Sequence, residues 1–235
     1  LEERPDVKAI PKHCGKSGRI TRPIQLSSII WLFFIGSVIG YILEGISDFI
    51  DKGKWLHHAA TVWGPFCIIY GVGAIGAYIL GSLLDQKSFI TQFVCCAVSG
   101  TVIEYLGSFL QEKILGSRSW DYSSQFLNIN GRVSLQMTLL WGVLGTTFIK
   151  WLLPLIQNSF ICSRWKGERA LLAVLVSLMI VDLLVTSCAL LRWKGRIEGR
   201  PAGNVIERAM DEWFDNQKMS QRFFNMHFES AEKAL

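Results

Sequence analysis

Long apolar stretches separated by short polar segments form the dominant pattern along the chain. They run over residues 26–47, from 63 to the turn at Lys87, and over 89–112, 133–155 and 170–191. A helix needs about 20 apolar residues to cross the hydrocarbon core of a bilayer, and these stretches are that long. Strand-like alternation of apolar and polar positions is absent, which disfavours an outer-membrane barrel. The pattern therefore predicts an all-α, polytopic helical membrane protein with about five transmembrane helices.

The two ends of the chain are more polar than its middle. Residues 1–25 are basic and contain proline and glycine, which predicts a basic N-terminal arm, followed by a transmembrane helical domain over 26–191. Residues 192–235 form a polar tail. In the tail, apolar residues recur at helical spacing at Val205, Ile206, Ala209, Met210, Trp213 and Phe214. This spacing predicts an amphipathic C-terminal helix that lies on the membrane surface or against the protein.

The composition supports a membrane protein, because only 18% of the residues are charged and 50% are hydrophobic. In a soluble domain about a quarter of the residues are charged. The net charge of +5 comes from basic residues beside the apolar stretches, where Lys and Arg set topology or contact anionic lipid. We therefore expect membrane lipids, and no nucleic acid, as partners. The cysteines lack C-x-x-C spacing and the adjacent His57 and His58 would point in different directions, so neither a metal nor another cofactor is predicted.

Carboxylates inside the apolar stretches are the strongest candidates for function, because ionisable residues within a membrane are costly and mark functional sites. Residues four apart share a helix face, so Glu104 and Glu112 lie in line with each other across two turns. Glu44 follows Gly36 and Gly40 at the same spacing, and small residues let a neighbouring helix approach closely. We expect Glu44 and Glu104 to face each other.

Two interpretations of Glu104 follow from the residues. In the first, Glu104 is a buried acid that pairs with Arg132, Arg118 or a tyrosine hydroxyl and holds the helices in register. In the second, Glu104 and Glu44 form a site for a cation, a proton or a polar headgroup.

Five crossings would place the segments after the first and third spans on the same side of the membrane. In the second of these segments, Asp121 is expected to close the loop through an ion pair with Arg132. Asp182, inside the fifth span, is expected to make a polar contact between helices. The second span opens at Trp63 and contains Pro65, which predicts either an ordinary helix start or a re-entrant entry.

Several short motifs follow one another along the chain in a characteristic order. They are Gly40-Tyr41-Ile42-Leu43-Glu44, Trp63-Gly64-Pro65, Ile69-Tyr70-Gly71, Glu104-Tyr105 with Ser108 and Glu112, Trp120-Asp121-Tyr122-Ser123, Asn128 with Gly131-Arg132, and Trp141-Gly142. In this order and spacing, over roughly residues 36–154, the chain resembles the CmpB-like putative ABC-transporter type IV family of multi-pass bacterial membrane proteins. It departs from the family pattern at Tyr41, Ile68 and Val133-Ser134, where Trp, Pro and Ile-Cys are usual. The resemblance implies a permease-like component of the bacterial plasma membrane that works with a separate ATPase subunit.

The leading hypothesis is a permease-like transport component that handles a polar or cationic solute at an intramembrane acidic cavity. The expected substrate-binding residues are Glu44, Trp63, Tyr70, Glu104, Glu112, Asp121, Tyr122, Asn128 and Arg132. One alternative is an intramembrane lipid-modifying enzyme that uses His57 or His58 with Glu104 as acid and base. It lacks a nucleophile paired with a base, so no catalytic residue is assigned. Another alternative is a non-catalytic membrane adaptor or regulator that binds partners through its tail, and a homo-oligomer is compatible with each hypothesis.

Overall fold

The computed structural model describes residues 26–84, 87–156 and 166–228. The helices are α1 (Leu26–Lys52), α2 (Ile68–Leu83), α3 (Phe89–Leu115), α4 (Leu135–Thr147), α5 (Leu153–Ile156), α6 (Glu168–Ile197), α7 (Val205–Trp213) and α8 (Asn216–Arg222). A π-helical turn, Phe148–Leu152, joins α4 to α5, and β1 (Ser117–Arg118) pairs antiparallel with β2 (His227–Phe228). The all-α membrane fold predicted from the sequence is confirmed. The predicted basic arm, 1–25, and the end of the tail, 229–235, lie outside the described residues.

Within the residues that the structure describes, four long apolar elements have the dimensions of membrane-spanning helices. They are α1, α3, the continuous helix Leu135–Ile156 and α6, with lengths of 22 to 30 residues. The remaining apolar helix, α2, has 16 residues and is about 24 Å long by its helical rise. It begins at Ile68, later than the predicted start at Trp63. Pro65 has no amide hydrogen and disfavours helical geometry at the preceding residue, and Gly64 adopts a left-handed φ of +70°.

The irregular segment before α2, residues 53–67, is held by partners that are distant in sequence. The Trp63 amide donates to Asp182 Oδ1 at 3.2 Å, and Arg222 Nε donates to the Thr61 carbonyl at 2.8 Å. Asp182 lies about 21 Å along α6 from its first residue, so the segment reaches the level of the middle of α6. Irregular backbone at such a depth requires protein partners. The prediction that Asp182 joins two helices was wrong, because its carboxylate binds this segment instead.

Small residues bring the helices together at the positions that the sequence indicated. The Tyr70 ring of α2 occupies the space where a side chain on Gly40 of α1 would lie. A Cβ on Gly36 would come within 2.6 Å of the Ala74 Cβ. In the same way, Trp141 of α4 packs directly against the backbone of Gly100 in α3. Such close approaches are how membrane helices gain packing contacts.

The tail folds back onto the end of α6. Its buried apolar cluster consists of Ala189, Leu190, Trp193, Met210, Met219, Phe223 and Phe228. Asp211 of α7 accepts hydrogen bonds from Arg192 at 2.8 Å and from Arg196 at 2.5 Å. Of the two placements predicted for the amphipathic helix, packing against the protein is the one observed, and Trp213 stays exposed.

Three segments meet at one end of the helix bundle, which we call the capped end: 53–67, 116–134 and 198–228. The β1–β2 pairing joins the second to the third, and Arg222 joins the third to the first. The segments that follow α1 and α3 therefore lie at the same end, as the count of crossings predicted.

Candidate functional site

Glu104 lies at the centre of a hydrogen-bond network that links three segments. Its side chain is buried, with 5% of the residue exposed. The Tyr122 hydroxyl donates to Oε1 at 3.0 Å, and Trp141 Nε1 donates to Oε2 at 3.0 Å. Of the partners considered for Glu104, a tyrosine hydroxyl is therefore the one observed. One carboxylate fastens α3 both to α4 and to the loop at the capped end.

Glu44 is the second carboxylate of the network and is more open than Glu104. About a third of its side chain, 34%, is exposed. The Tyr70 hydroxyl donates to Glu44 Oε1 at 2.5 Å. The Tyr70 ring also packs against the Trp141 ring, with 5.5 Å between centroids. Glu44 and Glu104 are thus connected through a pair of aromatic side chains, each of which donates a hydrogen bond to one of the acids.

The two carboxylates also affect the pKa of one hydroxyl, that of Tyr122. Burial raises the pKa of the Tyr122 phenol, and the negative charges of Glu104 and then Glu44 raise it further. Tyr122 therefore stays protonated over the physiological range and keeps its role as hydrogen-bond donor to Glu104.

His58 lies beside Glu44 at the capped end. Its Nε2 is hydrogen-bonded to Asp48 Oδ2, and its Nδ1 lies 3.9 Å from Glu44 Oε2. The adjacent His57 has a separate partner, since its Nδ1 lies 2.5 Å from the Tyr41 hydroxyl. Among residues 26–84, 87–156 and 166–228, no group of three or more His, Cys, Asp or Glu side chains is arranged to hold a metal ion.

A second cluster, centred on Arg132, lies nearer the capped end. Arg132 Nη2 donates to Glu112 Oε2 at 2.8 Å, and Nη1 donates to the Ser108 hydroxyl at 3.1 Å. Arg118 also binds Glu112, and the Arg132 guanidinium lies 5.6 Å from the Phe109 ring centre. The arginine is thus enclosed by the α3 stripe that carries both Ser108 and Glu112.

The predicted ion pair between Asp121 and Arg132 was wrong. Asp121 Oδ1 instead accepts hydrogen bonds from the Ser123 amide at 2.9 Å and the Ser123 hydroxyl at 2.5 Å. These bonds lower the pKa of Asp121. Asp often bonds to backbone two residues ahead in turns, so this carboxylate is used locally, whereas Glu112 faces Arg132 from the helix.

Two sequence motifs form the two sides of one loop, residues 116–134, which we call the aromatic loop. The Tyr122 amide donates to the Gly131 carbonyl at 2.7 Å, and Trp120 Nε1 donates to the Arg132 carbonyl at 3.0 Å. Asn128 donates to the carbonyls of Ser123 and Gln125, both at 3.0 Å. It also accepts from the Gly131 amide at 3.2 Å. The loop therefore fixes the directions of Tyr122 and Arg132.

The predicted site residues thus divide into separate groups. Glu44, Tyr70, Glu104 and Tyr122 belong to the carboxylate network, and Glu112 and Arg132 belong to the arginine cluster. Asp121 and Asn128 shape the aromatic loop. Trp63 lies apart from these groups, with its ring 6.2 Å from that of Phe214 in the tail. Trp141 was not among the predicted site residues. Its signal was Gly100, one turn before Glu104, which leaves space for a large ring.

An apolar cavity of about 270 Å³ lies between α1, α2, α3 and α4. Its walls include Ile39, Leu43, Tyr70, Ala77, Leu80, Ser99, Ile103, Trp141, Leu144, Phe148 and Leu152. Glu44 and Glu104 are not among the described residues that line it. The cavity walls are therefore apolar, and the two carboxylates lie beyond the rings of Tyr70 and Trp141.

Comparison with known proteins identifies the family. The family model described as "Putative ABC-transporter type IV" matches residues 31–187, about two thirds of the 235 residues. The match spans both carboxylates of the network, the arginine cluster and the aromatic loop. No curated protein and no solved structure matches the chain. With four helices of membrane-spanning length in the described part of the chain, the chain is a membrane protein that belongs to the putative ABC-transporter type IV family.

Proposed function

We propose that this protein is a permease-like transport component that handles a polar or cationic solute at Glu44 and Glu104. The observation that carries the proposal is the convergence of five chain segments, α1 to α4 and the aromatic loop, at two hydrogen-bonded carboxylates. Acids within a membrane are expensive to place and mark pathways for ions or polar solutes. Family membership supports the same class of function.

The two carboxylates have different roles in this proposal. Glu44 receives the solute, because about a third of its side chain is exposed. Glu104 accepts bonds at both oxygens and therefore orients Trp141 and Tyr122. The rings of Tyr70 and Trp141 lie between the acids, and the faces of aromatic rings attract cations. Movement of these two rings would connect Glu44 with the interior of the bundle.

Family membership also supports the proposal of a separate ATPase subunit in the bacterial plasma membrane. The tail already covers the capped end by its own contacts. We therefore propose that the ATPase docks at the opposite end, near the first residues of α3 and α6. Residues 163–165 of the predicted basic turn at 163–169 lie outside the described residues. Homo-oligomerisation remains part of this proposal.

The decisive experiment neutralises Glu104 without changing its shape. Proteoliposomes containing wild-type protein, with an imposed membrane potential, should take up the cationic dye ethidium. Glu104→Gln should abolish uptake while the protein still inserts and elutes as a single species. Glu212→Gln, which neutralises an exposed acid of α7, is the matched control and should leave uptake unchanged. Ethidium uptake by Glu104→Gln at the wild-type rate would refute the assignment.

A second candidate function, an intramembrane lipid-modifying enzyme, is favoured by the surroundings of His58. A histidine bonded to Asp48 through one nitrogen, with Glu44 near the other, is a plausible acid–base arrangement. The acid beside His58 is Glu44. The sequence had predicted Glu104 in that role. Turnover of labelled lipid by purified protein, lost in His58→Ala and retained in His57→Ala, would support this function. Absence of turnover in the wild type would eliminate it.

A further inference from the structure

We propose that the apolar cavity binds the single alkyl chain of a cationic amphiphile whose head lies at Glu44. This inference rests on the proposed function for the role of Glu44 and adds the class of substrate. It makes the protein a handler of single-chain cationic lipids or detergents.

The size and lining of the cavity point to an alkyl chain. The cavity measures about 270 Å³ and is partly open at the protein surface, so an apolar molecule can enter it from outside. Apolar cavities stay dry and take up apolar molecules, so water is not the expected occupant. Drug-sized ligands occupy pockets of about 300–1,000 Å³. A cavity just below that range suits one alkyl chain better than a two-chain lipid.

The cavity is also long in the direction of the helices. Along α2 its walls run from Tyr70 to Leu80, and along α4 and its continuation they run from Trp141 to Leu152. Ten residues of helix correspond to about 15 Å. A space of this length, parallel to the membrane-spanning helices, has the orientation that an extended chain has in a bilayer.

The charge of the amphiphile's head group follows from the fact that its alkyl chain enters the cavity from the bilayer. A chain that leaves the bilayer for an apolar cavity exchanges one hydrocarbon environment for another, so the hydrophobic effect gives little selectivity. Selectivity must therefore come from the polar end. Leu43 and Tyr70 line the cavity at its capped end, and Glu44 follows Leu43 and accepts a hydrogen bond from Tyr70. Beyond the Tyr70 ring lies a carboxylate with a third of its side chain exposed, and it selects a cationic head once that ring moves aside.

The test uses photoreactive dodecyltrimethylammonium on the full chain in nanodiscs of zwitterionic lipid. Ser99 lines the cavity, and Ser99→Phe should lower labelling at least tenfold by occupying the space. Ser177→Phe adds the same ring to the exposed face of α6 and should leave labelling unchanged. If Ser99→Phe does not fold, Ser99→Leu serves instead. Labelling that is equal in the cavity variant and the wild type would overturn the proposal.

The head is tested separately. A photoreactive twelve-carbon alcohol should label the wild type at least tenfold less than the ammonium probe. Glu44→Gln should remove that difference. Equal labelling by both probes in the wild type would overturn the cationic assignment.

The proposal and the proposed function can fail independently. Ser99-dependent labelling without Glu104-dependent ethidium uptake would leave the alkyl-chain site standing and reject the transport role. If ethidium uptake depends on Glu104 but Ser99→Phe leaves the amount of labelling unchanged, only the alkyl-chain site is rejected.

Discussion

The Tyr122 hydroxyl donates a hydrogen bond to Glu104 across 3.0 Å, so a loop residue supplies one of the two donors of a buried carboxylate. The other donor, Trp141, comes from a helix. The aromatic loop is therefore part of the carboxylate network, although it lies outside the membrane-spanning helices. A disturbance of the loop should reach Glu104.

Tyr122→Phe should lower both stability and transport. The substitution removes only the hydroxyl and leaves Glu104 Oε1 without this donor, which costs about 1–3 kcal/mol for a buried polar group. We expect a lower midpoint in denaturation by SDS and slower ethidium uptake. Tyr105→Phe is the matched control, because the Tyr105 hydroxyl binds the exposed Asn130 side chain. Equal effects of the two substitutions would contradict the assigned role of Tyr122.

Glu112→Ala should destabilise the protein by about 3–5 kcal/mol, because it leaves the buried charge of Arg132 unpaired. The Arg132 side chain is only 6% exposed. The pair Arg200–Glu198 provides the comparison, since the Arg200 side chain is 62% exposed, and Arg200→Ala should cost at most about 1 kcal/mol. A double-mutant cycle of Glu112→Ala with Arg132→Ala measures the coupling. Strictly additive losses would show that the two residues do not depend on each other.

Gly131→Ala should distort the aromatic loop. Gly131 has a φ of +66°, and a Cβ there would collide with the side chains of Asp121 and Ser123. Gly53 has the same φ of +66° with nothing within 4 Å of its Cβ position, so Gly53→Ala reports the backbone cost alone, about 1–2 kcal/mol. The loss of unfolding free energy should be larger for Gly131→Ala. Equal losses would mean that the loop accommodates the extra methyl group.

The attachment of the tail should weaken in acid. Hydrogen bonds from Arg192, and then from Arg196, lower the pKa of Asp211 below its ordinary value of 3.8. A lowered carboxylate pKa contributes stability that is complete above the ordinary value and is lost as the pH falls through the folded-state value. The wild type should therefore melt above Asp211→Asn at neutral pH, and the difference should narrow only below about pH 4. A difference that is constant down to pH 2 would contradict the ion pair.

The long helices could be predicted because their signals are local. Four stretches of about 20 apolar residues became helices of membrane-spanning length. Ser88 caps the start of α3 by accepting from the Thr91 amide, and Gly116 ends that helix in a left-handed conformation. Side-chain caps and terminal glycines of this kind are readable from sequence.

The features that escaped prediction depend on residues far apart in the chain. The segment before α2 is held by Asp182, Thr186 and Arg222, more than a hundred residues later. The partner of Arg132 was misjudged because Asp121 is nearer in sequence, whereas Glu112 is held in place by α3. The predicted acidic cavity stays a prediction. The carboxylates are present, but the rings of Tyr70 and Trp141 separate them from an apolar space.

The contact between Arg222 and the Thr61 carbonyl joins residues 161 positions apart. During synthesis, the segment between α1 and α2 therefore acquires this partner only after Arg222 has left the ribosome. Until then, chaperones or the insertion machinery would encounter a segment in which the Thr61 carbonyl lacks this hydrogen-bond donor. Shortening the tail ahead of Arg222 should consequently expose an early part of the protein to quality-control proteases.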